Sequence, residues 1–253
     1  MKVRAGIEAA GLTDVGCHRE NNEDNYAYWE PEEEAEFQRL GRLAVVADGM
    51  GGAEGGQYAS RIAVDAVIEA YPDSSELDPQ ERLLASFREA NNRVQHEAQT
   101  KPMLRGMGTT LTACAVLGNN LYFAHIGDSR LFLVRDSEAR QLSRDHSLVA
   151  RLIESGTIRP EDAENHPQKH VLTAAVGVAE ELQPNMPPSP LELKPSDVLV
   201  LCTDGMWGQM TLAEIAEIAS TSAPKEACKA LVKLAKDRGG PDNITVQILR
   251  LSA

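Results

Sequence analysis

Apolar and polar positions along the chain mark short strands first. Residues 43–47 form an apolar run closed by Asp48-Gly49, the pattern of a buried strand that ends in a turn. Residues 109–117 and 121–126 flank Gly118-Asn119-Asn120 and predict a hairpin. Residues 131–134 and 198–202 are further strands. In 244–249, Ile244, Val246 and Ile248 alternate with Thr245 and Gln247, a period of two. Helical spacing lies between these runs. Ala59, Ile62, Ala63, Ala66, Val67 and Ala70 share one face of a helix predicted to end before Pro72. Leu83, Phe87, Ala90 and Val94 make a second stripe, started by Asp78-Pro79. Ala227, Leu231, Leu234 and Ala235 make a third. The Glu-rich stretch 30–36 reads as a solvated loop between two strands.

Tight hairpins between strand neighbours predict mixed or antiparallel sheets rather than a βαβ repeat, covered by helices. No repeat or linker divides residues 1–253, so one domain is expected. With 25 Lys+Arg against 38 Asp+Glu the formal net charge is -13, which opposes nucleic acid or an anionic membrane as the main partner. No apolar run approaches the roughly 20 residues that span a bilayer, and the first residues show no secretion signal. A soluble cytoplasmic protein is expected. Cys17, Cys114, Cys202 and Cys228 form no C-x-x-C pair, which opposes a disulfide framework or a zinc site. His166 and His170 read as loop residues.

The acids carry the chemical signal. Asp24 precedes the run 25–28, Asp48 closes the strand at 43–47, Asp128 follows 121–127, Asp204 follows 198–203, and Asp242 stands just before the last strand. Taken singly, an Asp at a strand end is a turn or cap residue satisfied by local N–H groups. Taken together, they place several carboxylates at positions that packed sheets can bring to one rim, where they repel one another unless cations neutralise them. All-oxygen ligands select Mg²⁺ or Mn²⁺ over Zn²⁺. Gly49 fits such a site because a missing side chain lets its backbone carbonyl approach an ion. Two ions about 4 Å apart can activate a bridging water for in-line attack at phosphorus. Arg19 is either the phosphate grip of such a site or a surface residue paired with Glu20 or Glu23.

The ordered motifs resemble those of the metal-dependent serine/threonine protein phosphatases of the protein phosphatase 2C type, in their compact bacterial form. The resemblance rests on Thr13-Asp14-Val15-Gly16 with Arg19-Glu20-Asn21-Asn22-Glu23-Asp24, then Val46-Ala47-Asp48-Gly49-Met50-Gly51-Gly52. Gly106-Met107-Gly108-Thr109-Thr110, Gly127-Asp128-Ser129-Arg130 and Asp145-His146-Ser147 follow. Cys202-Thr203-Asp204-Gly205 and Asp242-Asn243-Ile244-Thr245 close the series. It implies an α+β fold, a four-layer α-β-β-α sandwich with two central antiparallel sheets. It implies hydrolysis of phosphoserine and phosphothreonine in phosphoproteins, with Mn²⁺ or Mg²⁺ as cofactor, in two or three ions. Asp48 would bridge two of them, with the Gly49 carbonyl on one. Asp204 and Asp242 would hold the first, and Glu23 or Asp24 would stand near the second through water. Asp128 would support a third with Asp204, and Arg19 would bind the substrate phosphate. A cognate Ser/Thr kinase and a monomeric state complete the expectation.

Two positions depart from the family pattern. Ala53 stands where many bacterial members carry His, removing that group as proton donor or substrate contact. Ala174 stands where relatives often have Arg. The segment 148–171 matches the family's mobile flap. Two other readings follow from the same residues: residues 49–56 as a phosphate nest for a nucleotide, which the missing G-K-[ST] ending and the neighbouring acids oppose, and an inactive relative that serves as a metal-binding scaffold or sensor.

Overall fold

The computed structural model describes residues 3–51, 55–163, 166–178 and 181–252. In chain order its strands are β1 (Ile7–Asp14), β2 (Asp24–Trp29), β3 (Arg42–Met50), β4 (Gly108–Thr109), β5 (Leu111–Leu117), β6 (Asn120–Ile126), β7 (Arg130–Arg135), β8 (Glu138–Gln141), β9 (Leu191–Glu192), β10 (Val198–Cys202) and β11 (Ile244–Leu251). The helices are α1 (Glu34–Leu40), α2 (Gly55–Asp73), α3 (Pro79–Thr100), α4 (Leu148–Glu154), α5 (Pro160–Ala163), α6 (Asp204–Trp207), α7 (Leu212–Thr221) and α8 (Pro224–Asp237). One sheet runs β1-β11-β10-β7-β8 and the other β2-β3-β5-β6-β9, with β4 attached to β3. The pairings within both sheets are antiparallel.

The strand period of two distributes each apolar run between two cores. In β3, Leu43, Val45 and Ala47 pack against α2 and α3, while Ala44 and Val46 face the other sheet. In β10, Val198, Val200 and Cys202 pack toward α7 and α8, and Leu199 and Leu201 face inward between the sheets. A third core therefore lies between the sheets, which gives the four-layer α-β-β-α order that the resemblance implied. Burial on both faces is why these strands read as unbroken apolar runs.

That middle layer changes character along its length. On the inward face of β11, Leu251 and Leu249 give way to Gln247 and Thr245, both fully buried. On β2, Tyr28 and Tyr26 give way to Asp24; on β3, Ala44 and Val46 give way to Asp48. Gln247 Nε2 ties the sheets together by donating to the Ala27 carbonyl at 3.1 Å. The inter-sheet layer thus runs from apolar to amide and hydroxyl, and ends in carboxylate.

Several local expectations need correction. β3 does not stop at Asp48 but continues to Met50, because β4 supplies partners for Gly49 and Met50. The run 109–117 is divided at Thr110, whose N–H donates to the Asp48 carbonyl at 2.8 Å. The stretch 30–36 is not a loop throughout. α1 begins at Glu34, its acids favour the positive end of the helix, and Arg4 and Arg42 flank Phe37 at 4.8 and 4.6 Å from the ring centroid. α2 passes through Pro72, which sits in its last turn, where a missing N–H costs only one bond. α3 starts as expected: Asp78 Oδ1 accepts from the Gln80 and Glu81 amides at 2.7 and 3.2 Å, with Pro79 following. α7 has no counterpart among the predicted helices, although Thr211 and Glu214 form a capping box at its start.

Phe87 on α3 is fully buried in the core beneath the β2-β3-β5-β6-β9 sheet. Phe87→Ala is expected to lower the stability measured by urea unfolding by about 3–5 kcal/mol. A loss below 1 kcal/mol would contradict this packing.

Candidate metal centre

The acids gather at one end of the sandwich because antiparallel neighbours begin and end there. Asp24 opens β2 directly opposite Asp48 of β3. Asp204 follows β10 and opens α6, while Asp242 precedes β11, the antiparallel neighbour of β10. Asp128 lies in the link between β6 of one sheet and β7 of the other. Backbone and side-chain bonds fix these positions. The Asp48 amide donates to Thr110 Oγ1 at 2.9 Å, and its carbonyl also accepts from Thr109 Oγ1 at 2.8 Å. Thr203 Oγ1 donates to Asp24 Oδ2 at 2.8 Å and accepts from the Thr245 amide at 3.1 Å, joining the sheets at the rim. Trp207 Nε1 donates to the Asp128 carbonyl at 2.9 Å, and the Arg130 guanidinium stacks 3.3 Å over the Trp207 ring. Arg130 also holds Asp145 through Nε and Nη2, at 3.1 and 2.7 Å.

Glycine permits the close packing of this end. A β-carbon on Gly205 would lie 1.9 Å from the Asn243 carbonyl oxygen, so α6 can press against the loop of Asp242 only without one. On Gly49 it would lie 2.0 Å from the Gly56 carbonyl oxygen. The demand on Gly49 therefore comes from the start of α2 as well as from any ligand role for its carbonyl.

Electrostatics set this cluster apart from ordinary turn residues. Burial, then repulsion from Asp24, Asp204, Asp128 and Asp242, holds the Asp48 carboxyl well above the usual carboxylate range. Burial raises Asp24 to about 7, helped by Asp204 and Asp242 and resisted by the Thr245 and Thr203 hydroxyls. Asp128 is raised to about 7 by burial, with Asp204 and Asp145 adding to it. Asp24 Oδ1 and Asp204 Oδ1 are buried without a hydrogen-bond partner. These groups suit a hard divalent cation: oxygen donors, uncompensated negative charge and free lone pairs. Among the described residues no three His, Cys, Asp or Glu side chains converge closely enough to form a ready coordination sphere. The carboxylates are neighbours that repel.

Asp24, Asp48, Asp128, Asp204 and Asp242 act on one another electrostatically. Arg19 Nη2 donates to Asp242 Oδ2 at 2.7 Å, so its partner is neither Glu20 nor Glu23. Glu23 holds the rim through its backbone, its amide donating to Asn243 Oδ1 at 2.8 Å and its carbonyl accepting from the Gly49 amide at 3.1 Å. Burial raises its carboxyl, and Arg19 opposes the shift. Ala53 lies outside the described residues. Ala174 is half-buried against the α2–α3 core. His170, read as a loop residue, sits in a turn with Nδ1 3.8 Å from Asp204 Oδ2. Thr203 and Trp207 carry no predicted role, although Thr203 lies inside the motif 202–205 and Trp207 two residues beyond it.

A sandwich of two antiparallel sheets with helical outer layers and an acidic rim of this kind defines a metal-dependent hydrolase class. A sequence profile described as Protein phosphatase 2C matches residues 18–236. Protein phosphatase PhpP of Streptococcus pneumoniae is 36% identical over 250 residues, covering 97% of this chain and 98% of that protein. The solved S. agalactiae serine/threonine phosphatase superposes with a TM-score of 0.88 at 35% identity, covering 97% of this chain and 100% of that one. The catalytic domain of serine/threonine protein phosphatase PstP, solved in complex with 2 manganese ions, superposes with a TM-score of 0.83 at 32% identity, covering 98% and 99%. This chain belongs to the protein phosphatase 2C family.

Asp24 and Asp128 are protonated more readily in the folded chain than in the unfolded one, so protonation stabilises the metal-free fold. With a chelator present, thermal stability is expected to fall as pH rises from about 4 through about 7. Asp48→Asn is expected to raise metal-free stability at pH 7.5, on the order of 1–3 kcal/mol. A destabilised Asp48→Asn, or a metal-free protein that grows steadily more stable over this pH range, would contradict the reading.

Proposed function

We propose that the chain hydrolyses phosphoserine and phosphothreonine in phosphoproteins, with Mn²⁺ or Mg²⁺ held by the acidic rim. The observation that carries this is the mutually repelling set of Asp48, Asp204 and Asp242 with the buried Asp24 and Asp128, beside the exposed guanidinium of Arg19. Asp48 would bridge two ions, with the Gly49 carbonyl on one of them. Asp204 and Asp242 would complete the first position, Glu23 or Asp24 would stand near the second through water, and Asp128 with Asp204 would support a third. Bound there, the ions supply an acidified water for attack at phosphorus and neutralise phosphate charge.

The chain's own residues do the rest. Arg19, at the solvent edge, can exchange Asp242 for the phosphate oxygens and grip two of them with its planar donor set. A phosphate held there would lie beside Asp242, within the electrostatic reach of Asp48 that Arg19 already feels. The Thr203 and Thr110 hydroxyl bonds keep Asp24 and Asp48 in place, so the acids need not reorganise as charge develops.

We read residues 1–253 as one phosphatase domain and 148–171 as its flap. The Leu148 amide donates to the Val171 carbonyl at 2.8 Å, so this excursion closes on itself beside the rim. No helix among the described residues is long and apolar enough to cross a membrane. A monomer in the cytoplasm that opposes a Ser/Thr kinase is the setting that suits a rim open to phosphoproteins.

With Mn²⁺ the pure protein is expected to release phosphate from p-nitrophenyl phosphate and from a phosphothreonine peptide, and to lose this activity to chelator. Asp204→Asn is expected to lower kcat about 10²–10³-fold while remaining folded by circular dichroism. Arg19→Ala is expected to raise KM for the peptide by about tenfold or more. Phosphate release that survives both chelator and Asp204→Asn would refute the reading.

A further inference from the structure

Beside the acids the rim carries an apolar ledge that the hydrolysis itself does not use. Met50 stands two residues beyond Asp48 in β3, so the two side chains leave the same face of the strand, about 7 Å apart along it. Met50 pairs with Gly108 of β4, and the neighbouring Thr109 bridges to Val176. A β-carbon on Gly108 would lie 2.8 Å from Val178 Cγ2 and 3.0 Å from Met50 Cε, so these two side chains close over the bare glycine. Val178 is nevertheless 58% exposed, and Met50 is half-buried.

The ledge is rigidly built. Gly177 takes a φ of +89°, where a side chain would also strike Val94 Cγ1 at 2.3 Å, and its amide donates to Asn91 Oδ1 at 2.8 Å. Val178 is thereby set on α3, and its exposure follows from that anchor.

We infer that Met50 and Val178 form a specificity subsite for an aliphatic side chain one or two residues from the phosphorylated serine or threonine. This rests on the phosphatase reading above. An extended peptide advances about 3.3 Å per residue, so a phosphate placed over Asp48 brings the flanking residues over the ledge. A lysine there would shed water without gaining a hydrogen-bond partner from either side chain, and an acidic residue would also face the repelling carboxylates. A leucine or isoleucine would bury apolar surface against both.

The test is a panel of phosphothreonine peptides that differ only in Leu, Ser or Lys at positions one and two on either side of the phosphoresidue. At one of these positions the wild type is expected to favour Leu over Ser by about five- to tenfold in kcat/KM, the discrimination that partial burial of one aliphatic side chain supplies. Val178→Thr, nearly the same shape, and Val178→Asp are expected to bring the ratio close to one. Their thermal midpoints and their turnover of the serine-flanked peptide should stay near the wild-type values. Absence of a Leu preference, or a preference that survives both variants, overturns the subsite. A wild type that hydrolyses no phosphopeptide overturns the phosphatase reading instead.

Discussion

Like charges crowded together at one end of a packed layer are the constraint on which the rest of this molecule depends. The middle layer of the sandwich is apolar over most of its length, and its strands then deliver carboxylates to the last positions of the same faces. Asp48 cannot relax away from Asp24, because the two are paired across adjacent strands and the Asp48 backbone is bonded on both sides. Such an arrangement costs stability in the absence of cations. The cost is tolerable only if a bound state offsets it, so the rim reads as built for ions before any particular reaction is considered.

The frame must be stiff for this to work, and the sequence invests in stiffness around the acids. Thr203 bridges the sheets, Trp207 pins the backbone of Asp128, and Arg130 couples that tryptophan to Asp145, which leads into the segment 148–171. Gly49 and Gly205 allow a helix start to pack against each side of the rim. Preorganised charges of this kind need not move when charge develops on a substrate. The bond from the Gly177 amide to Asn91 of α3 sets the ledge of Met50 and Val178 beside this frame.

Much of this was legible in the residues alone. Strand runs such as 198–202 and 43–47 could be read because burial on both faces leaves no polar interruption. The acids could be read as a group because each follows or precedes such a run. What could not be read is instructive in physical terms. That β3 continues through Asp48 depends on β4, a partner more than fifty residues away in the chain. β1 carries small residues such as Ala9, Ala10 and Gly11, and its strand character comes from pairing with β11. The fold of 30–36 depends on Arg4 and Arg42, and the approach of His170 to Asp204 depends on where a long excursion closes. That Arg19 pairs with Asp242 could not be read, because Asp242 lies at the far end of the sequence. The layer order came from the resemblance, since period-two patterning assigns faces to strands but does not say which face meets which core.

The central claim, that this rim exists to hold divalent ions by shared carboxylates, is tested most directly by anomalous diffraction from crystals grown with Mn²⁺. Ion binding by shared carboxylates requires two adjacent anomalous peaks bounded by Asp48, Asp204 and Asp242, with the Arg19 guanidinium displaced from Asp242. A rim without manganese density, or ions bound only elsewhere on the surface while Arg19 stays on Asp242, would contradict it.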